Sequence, residues 1–407
     1  MEKLGQYFEG VAWKYLTAVD ADPGKSNQHE FGGLVKAGFR HFLGDPGEET
    51  YKFPCRFMLL SEDKDKSASV DGVVSWYDSR RGKSGRGPEL RLYYVSNEVT
   101  DLISEGMFFL IAKTTSGELI LVFCDKGSSE EAQLRWLFGL DSTTHAFSGK
   151  AIDENQIKAS WSARWVLDEL GIELFEDDSR YLDLMLTRFG GAFPKTREFS
   201  ALALELSPEI QPVNLPDTAL VSLMDREESL FRQLERHFVE EKLKSGFSDV
   251  EQFISYSLSI QNRRKSRVGY ALENHLEFLF KENGVEHIRG AETENRSKPD
   301  FLFPGLPQYE NHDFPDNGLT ILGAKSTCKD RWRQVLSEAG RIKRKHLVTL
   351  EPGISGNQLD EMEANDLQLV VPSSIHETYK SEKREWLWNL SDFIEHVRDK
   401  QGKYLGE

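Results

Sequence analysis

The hydrophobic period of this chain changes once, and that change restricts it to a β-rich half followed by a helical and α/β half. Up to about residue 150, apolar residues come in short β-branched or aromatic runs at 53–60, 71–77, 89–94, 107–112 and 118–123. Turn signals such as Ser116-Gly117 separate them, and the spacing predicts a small barrel or sandwich. From Thr196 to Phe253 the period lengthens to that of a helix, with Leu223, Leu230, Leu234 and Phe238 on one stripe. A second long helix is expected over 266–283, with Leu272, Leu276, Leu279 and Phe280 inward. Strands follow at 301–303, 319–325, 346–350 and 367–371, with a helix over 331–344 between the second and third. Such an order makes an α/β sheet flanked by helices. The intervening stretch is mixed: 163–174 is partly helical in pattern, and Gly190-Gly191-Ala192-Phe193-Pro194 breaks it. The expected organisation is a β domain over 1–160, a linker over 161–192 and a second domain over 193–407.

Composition narrows the chemistry. The net charge of −16 argues against a body coated in nucleic-acid-binding surface. It leaves room for local basic grooves, because salt screens repulsion beyond about 8–10 Å. Cys55, Cys124 and Cys328 are far apart and form no CxxC or Cys/His cluster, which excludes a disulfide framework and a structural zinc. The polar start and the lack of a long apolar run give no signal peptide or membrane span, so a cytoplasmic location is expected.

The chemistry-bearing residues lie near the C-terminus. Asp300 directly precedes the apolar run Phe301-Leu302-Phe303, and Lys325 ends the next apolar run. In an antiparallel pair, the start of one strand and the end of the next share a sheet edge. Glu338 follows on the next expected helix, and Glu273 sits in the long helix before. Carboxylates that hold a divalent ion, beside an ammonium that orients water, suit phosphodiester hydrolysis. The pattern is a variant of PD-(D/E)XK: the acid expected two residues before the lysine is Gly323, and Glu338 is the substitute. Each residue also has a plain structural use. Asp300 could begin a turn, Lys325 could snorkel at an edge, and Glu338 could be a solvated helix residue paired with Arg341. Glu273 could be surface and Tyr309 core. Between Lys325 and Lys345, basic residues outnumber the acidic Asp330 and Glu338 by eight to two. A second basic cluster, Arg263-Arg264-Lys265-Ser266-Arg267, is expected at the start of the long helix. Both suit phosphate contact.

Specific runs carry a resemblance. Asn262-Arg263-Arg264-Lys265-Ser266-Arg267, Lys298-Pro299-Asp300-Phe301-Leu302-Phe303-Pro304, Cys328-Lys329-Asp330-Arg331-Trp332-Arg333-Gln334 and Val370-Val371-Pro372-Ser373-Ser374 resemble the catalytic domain of EcoRII-type restriction endonucleases. The resemblance implies a restriction-endonuclease-like α/β domain with Asp300, Tyr309, Lys325 and Glu338 in the active site, and Glu273 beside them. It implies a Mg²⁺ cofactor, with Asp300 and Glu338 as metal ligands. It further implies a homodimer that cuts both strands of DNA at a CCWGG-like site, and a partner DNA methyltransferase in the host. Asp330, Arg331 and Arg333 would then read bases, with Lys329 and Arg264 on the backbone. An arginine can hold guanine O6 and N7, and a carboxylate can accept from cytosine N4.

The same family architecture has an N-terminal all-β pseudobarrel that binds a second copy of the DNA site. Here the likeness rests on His29-Glu30-Phe31-Gly32-Gly33-Leu34-Val35 and on Trp76-Tyr77-Asp78-Ser79-Arg80-Arg81-Gly82-Lys83-Ser84-Gly85-Arg86-Gly87. Arg80, Arg81, Lys83, Arg86 and Arg91 are candidate DNA contacts from a basic hairpin, and Glu89 a candidate cytosine reader. Two other classes fit the fold: a non-catalytic sequence-specific DNA-binding protein, and a repair nuclease. Asp300, Lys325 and Glu338 argue against the first, and Asp330-Arg331-Trp332-Arg333 against the second.

Overall fold

A computed structural model describes residues 4–21, 29–82, 87–152, 161–172, 179–328 and 331–405. The chain forms two compact units, Met1–Leu174 with Gly353–Asn357, and Phe175–Pro352 with Gln358–Glu407.

The first unit is built on eight strands: β1 (Phe8–Tyr15), β2 (Glu30–Phe31), β3 (Thr50–Leu60), β4 (Ala68–Asp78), β5 (Leu90–Tyr94), β6 (Phe108–Thr114), β7 (Leu119–Cys124) and β8 (Ser148–Ala151). They form one sheet in the order β2-β5-β4-β3-β7-β6-β1-β8. Neighbours run antiparallel except β3 and β7, which are parallel. Strand alternation feeds two cores. Leu119, Leu121 and Phe123 enter one, while Ile120, Val122 and Cys124 enter the other. Burial on both faces explains why β6 and β7 read as unbroken apolar runs. The Phe31 ring on edge strand β2 lies 4.5 Å from Phe109 on β6. In a flat sheet those strands would stand roughly 24 Å apart. The sheet therefore curls until its edge strand covers its own far side.

Helices α1 (Ser129–Phe138) and α2 (Trp161–Glu169) pack on the second core through Leu134, Leu137, Phe138, Ala163, Val166 and Leu167. Periodicity gives no hint of α1, because its buried face includes Ser129, Glu130, Glu131 and Gln133. Its ends are well marked: the Ser128 hydroxyl accepts from the Glu131 amide, and Gly139 takes a left-handed φ of 58°.

The second unit begins with α3 (Ser179–Phe189), α4 (Thr196–Glu205), α5 (Pro216–Ser245) and α6 (Val250–Glu282). Met185, Phe199, Leu202, Leu230, Phe231 and Leu234 form the core of this helical layer. The stretch 161–192, expected as a linker, thus supplies a helix to each unit: α2 to the first and α3 to the second. Helix α6 starts at 250 rather than 266, because Asp249 caps it by accepting from the Gln252 amide at 2.7 Å. The basic cluster 263–267 is therefore mid-helix.

A five-stranded sheet follows: β9 (Ile288–Arg289), β10 (Phe301–Phe303), β11 (Thr320–Ala324), β12 (Lys345–Val348) and β13 (Leu367–Val370), ordered β13-β12-β11-β10-β9. Strands β11, β12 and β13 are parallel, and β10 is antiparallel to both β9 and β11. Short helices α7 (Leu306–Glu310) and α8 (Trp332–Leu336) flank β11 in sequence. The helix expected over 331–344 is only α8. The chain leaves it at Ser337 and turns through Ala339, whose φ of 47° no helix accommodates. No described helix is long and apolar enough to cross a membrane.

Candidate active site

Antiparallel pairing of Phe301 with Leu322 places the start of β10 beside the end of β11. At that edge the Lys325 ammonium donates to Asp300 Oδ2 at 2.7 Å, and the Ala324 amide donates to the same oxygen at 2.7 Å. Both side chains are largely buried. An aspartate held by a backbone amide and an ammonium is fixed in one rotamer, with its second oxygen free of either bond.

Gly323 explains the departure from the usual acidic position. It is buried on β11, and a Cβ there would sit 2.6 Å from Val335 Cγ2 on α8 and 3.4 Å from Leu347 Cδ1. Helix α8 packs too close for a side chain at 323, so no carboxylate can stand there. Glu338, within electrostatic reach of Asp300 and Lys325, lies on the turn after α8 rather than on a helix. Its Oε2 is buried without a hydrogen-bond partner among the described residues. Burial, only partly offset by Lys325, pushes its carboxyl up to about 7, with Asp300 adding in the same direction. Arg341 is not its partner, since that guanidinium binds Asp316 and the carbonyls of Asn311 and Phe314.

Glu273 reaches the site from α6. Burial raises its carboxyl, and the nearby Asp300 charge raises it further. Arg289 on β9 donates to Glu273 Oε2 through Nη2 at 2.6 Å and Nε at 2.9 Å. Tyr309, on α7, is buried, and its hydroxyl donates to Glu294 at 2.6–2.7 Å. It thus stands one step back, with its hydroxyl on Glu294. Arg289, Glu294 and Lys345 carry no sequence motif; only their contacts with Glu273, Tyr309 and the turn at Ala339 reveal them.

Of the basic residues, Arg331 is exposed at the start of α8. The Arg333 guanidinium pairs with Glu361 at 2.7 Å and lies 4.7 Å from the Trp332 ring. Lys329 and Asp330 lie outside the described residues. Arg264 faces α5, where its Nε donates to Glu235 at 2.6 Å. In the first unit, Asp78 Oδ1 accepts from the amides of Arg80 and Glu89 at 2.9 and 2.7 Å, closing the base of the loop. Glu89 is held by Arg80 at 2.6 Å and by Arg91. Arg81 donates to the Glu49 carbonyl and to Thr50 Oγ1. Lys83 and Arg86 lie outside the described residues.

Residues 231–394 match the family model described as EcoRII C terminal. The chain is 44% identical over 180 residues to the type II restriction enzyme EcoRII of Escherichia coli, across 44% of this chain and 45% of that one. It is 27% identical over 142 residues to the type II restriction enzyme SsoII of Shigella sonnei, across 32% of this chain and 46% of that one. It spans less than half the length of these curated relatives. A solved structure of metal-depleted Ecl18kI with uncleaved, modified DNA aligns over 56% of this chain and 85% of that one, at 17% identity and a TM-score of 0.46. The stretch 231–394 that matches the EcoRII C-terminal family model is the one that holds Glu273, Asp300, Tyr309, Lys325 and Glu338.

Proposed function

We propose that this chain is a type II restriction endonuclease that cuts both strands of DNA at a CCWGG-like site, with Mg²⁺ as cofactor. The observation that carries the reading is the sheet edge where Asp300, fixed by Lys325 and the Ala324 amide, lies within electrostatic reach of Glu338, whose buried Oε2 has no hydrogen-bond partner among the described residues. A divalent ion fits this donor set. Burial and neighbouring negative charge hold Glu338 and Glu273 toward their protonated forms, and a cation would reverse that balance. Among the described residues no three ligating groups converge on one point, and Lys325 occupies one oxygen of Asp300. Asp300 and Glu338 would hold the ion, which supplies charge stabilisation at the scissile phosphate and a more acidic bound water.

The chain's own groups do the rest. Lys325 fixes the Asp300 rotamer and offers its ammonium protons to the attacking water or a phosphate oxygen. Glu273, anchored by Arg289, adds negative charge beside Asp300. Arg331 and Arg333, together with Asp330, are the base readers; Arg333 would exchange Glu361 for guanine. In the first unit, the curled sheet and the hairpin ending in Arg80, Arg81, Glu89 and Arg91 form the pseudobarrel that binds a second DNA copy. The Glu89 carboxylate would leave its two arginines for a cytosine amino group. A homodimer supplies two active sites for two strands, and a host methyltransferase protects the organism's own sites.

Digestion of a fully sequenced DNA with Mg²⁺, followed by mapping of the cut ends, tests the reading. One recurring sequence at every double-strand end is the expected result. Scattered nicks, or cleavage that depends on DNA structure and not on sequence, would overturn it in favour of a repair nuclease.

A further inference from the structure

The Glu338 carboxylate arrives from a turn, and that turn is tied down in an unusual way. Lys345, only 5% exposed, donates its ammonium protons to the Glu338 carbonyl and, at 2.7 Å, to the Ala339 carbonyl. A buried ammonium on neutral acceptors is costly to place, so it marks a position where backbone must be held. On the other side of the turn the Gly340 amide donates to Glu294 Oε1. Glu294 also accepts from the Tyr309 hydroxyl at 2.6–2.7 Å, and the Arg341 amide approaches that hydroxyl at 3.5 Å. A Cβ at Gly340 would lie 2.6 Å from Glu294 Oε1, so a side chain there would push that carboxylate away from the turn. Between these two anchors the chain passes through Ala339 at a left-handed φ of 47°, a conformation that persists only where its surroundings over-determine it.

We propose that Glu294, Tyr309 and Lys345 act as positioning residues: together they clamp the turn Glu338-Ala339-Gly340 and so aim the Glu338 carboxylate at Asp300. None of the three touches the scissile phosphate in this scheme, Tyr309 included. The proposal rests on the reading of Asp300 and Glu338 as the metal-holding pair. It adds that their separation is set by the turn, so loosening the turn weakens the ion without removing a ligand.

The test is Mn²⁺ titration of the full chain, with free ion followed by electron paramagnetic resonance and folding checked by circular dichroism. Asp300→Asn and Glu338→Gln are the ligand controls. Gly340→Ala, Tyr309→Phe and Lys345→Met loosen the clamp from three sides; Tyr309→Phe removes one oxygen and keeps the test open should Lys345→Met fail to fold. Each folded clamp variant is expected to bind Mn²⁺ about 10-fold more weakly, in the range found when the supports of metal ligands are removed. Wild-type Mn²⁺ affinity in the folded clamp variants, with weakened affinity in the ligand controls, would overturn the clamp alone. Wild-type affinity in Asp300→Asn and Glu338→Gln would overturn the metal-site reading, and the clamp with it.

Discussion

At Glu338 a carboxylate is largely buried, and its Oε2 has no hydrogen-bond partner among the described residues. Its carboxyl ionises near 7 in the folded chain, against an ordinary 4.5. Between those values the folded protein keeps a proton that the unfolded chain has released. Metal-free stability therefore falls as pH rises through that window, and the loss is complete above it. Discounted for partial solvent access, the loss is about 2 kcal/mol. Urea midpoints at the two ends of the window, with chelator present, should show this decline in the wild type and much less of it in Glu338→Gln. An equal decline in both proteins would remove Glu338 as its source. Gly323 gives a second prediction at this scale. Restoring the usual acid by Gly323→Asp should destabilise the fold by about 1–3 kcal/mol, because its Cβ meets Val335. It should also fail to rescue a Glu338→Ala variant in a cleavage assay. Asp300 and Lys325 were legible in the sequence because each sits at the end of an apolar run. Glu294 and Lys345 were not, because they act on backbone atoms that no spacing rule connects to them.

Among the elements, β1, β2, β8 and β9 were missed in the sequence, while β10, β11 and β13 were read nearly in place, since a buried strand between turn residues leaves a compact signal. The helix after β11 was not. Charged residues recur from Arg331 to Arg344, but Arg341, Lys343 and Arg344 follow a turn fixed by tertiary contacts. Helix α6 was read too short for the opposite reason: its first turns bury little, so they show no amphipathic stripe. Val250, Phe253, Ile254 and Leu258 are about half exposed or more there, and 252–262 contains no charged residue. For a chain of net charge −16, a second copy approaches most easily across a surface without charge. We expect the proposed homodimer to use this part of α6. Phe253→Glu with Leu258→Glu should then give a folded monomer by light scattering where the wild type is a dimer. A variant that stays dimeric would place the interface elsewhere.

For the whole molecule the question is where the second unit begins. The sequence suggests 193, at the Gly190-Gly191 break, but α3 lies before that break and packs into the same core as α4 and α5. Met185 is fully buried there, with Leu182, Leu186 and Phe189 packed around it. A fragment starting at Phe193 would leave Phe199 and Phe231 open to water on that side. Each fully buried apolar side chain is worth about 1.5–3 kcal/mol, so such a fragment should be at least about 3 kcal/mol less stable than one starting at Ser179. Urea unfolding of the two fragments measures the difference directly. The longer fragment holds the entire sheet and every residue proposed for catalysis, so it is expected to cut cognate DNA without the first unit. If it folds, binds Mn²⁺ like the full chain and yet cuts nothing that the full chain cuts, the first unit supplies DNA-binding surface essential to cleavage, and its role as a separate effector is wrong. Equal stability of the two fragments would instead show that α3 adds nothing to the core, and would return the boundary to the glycine pair.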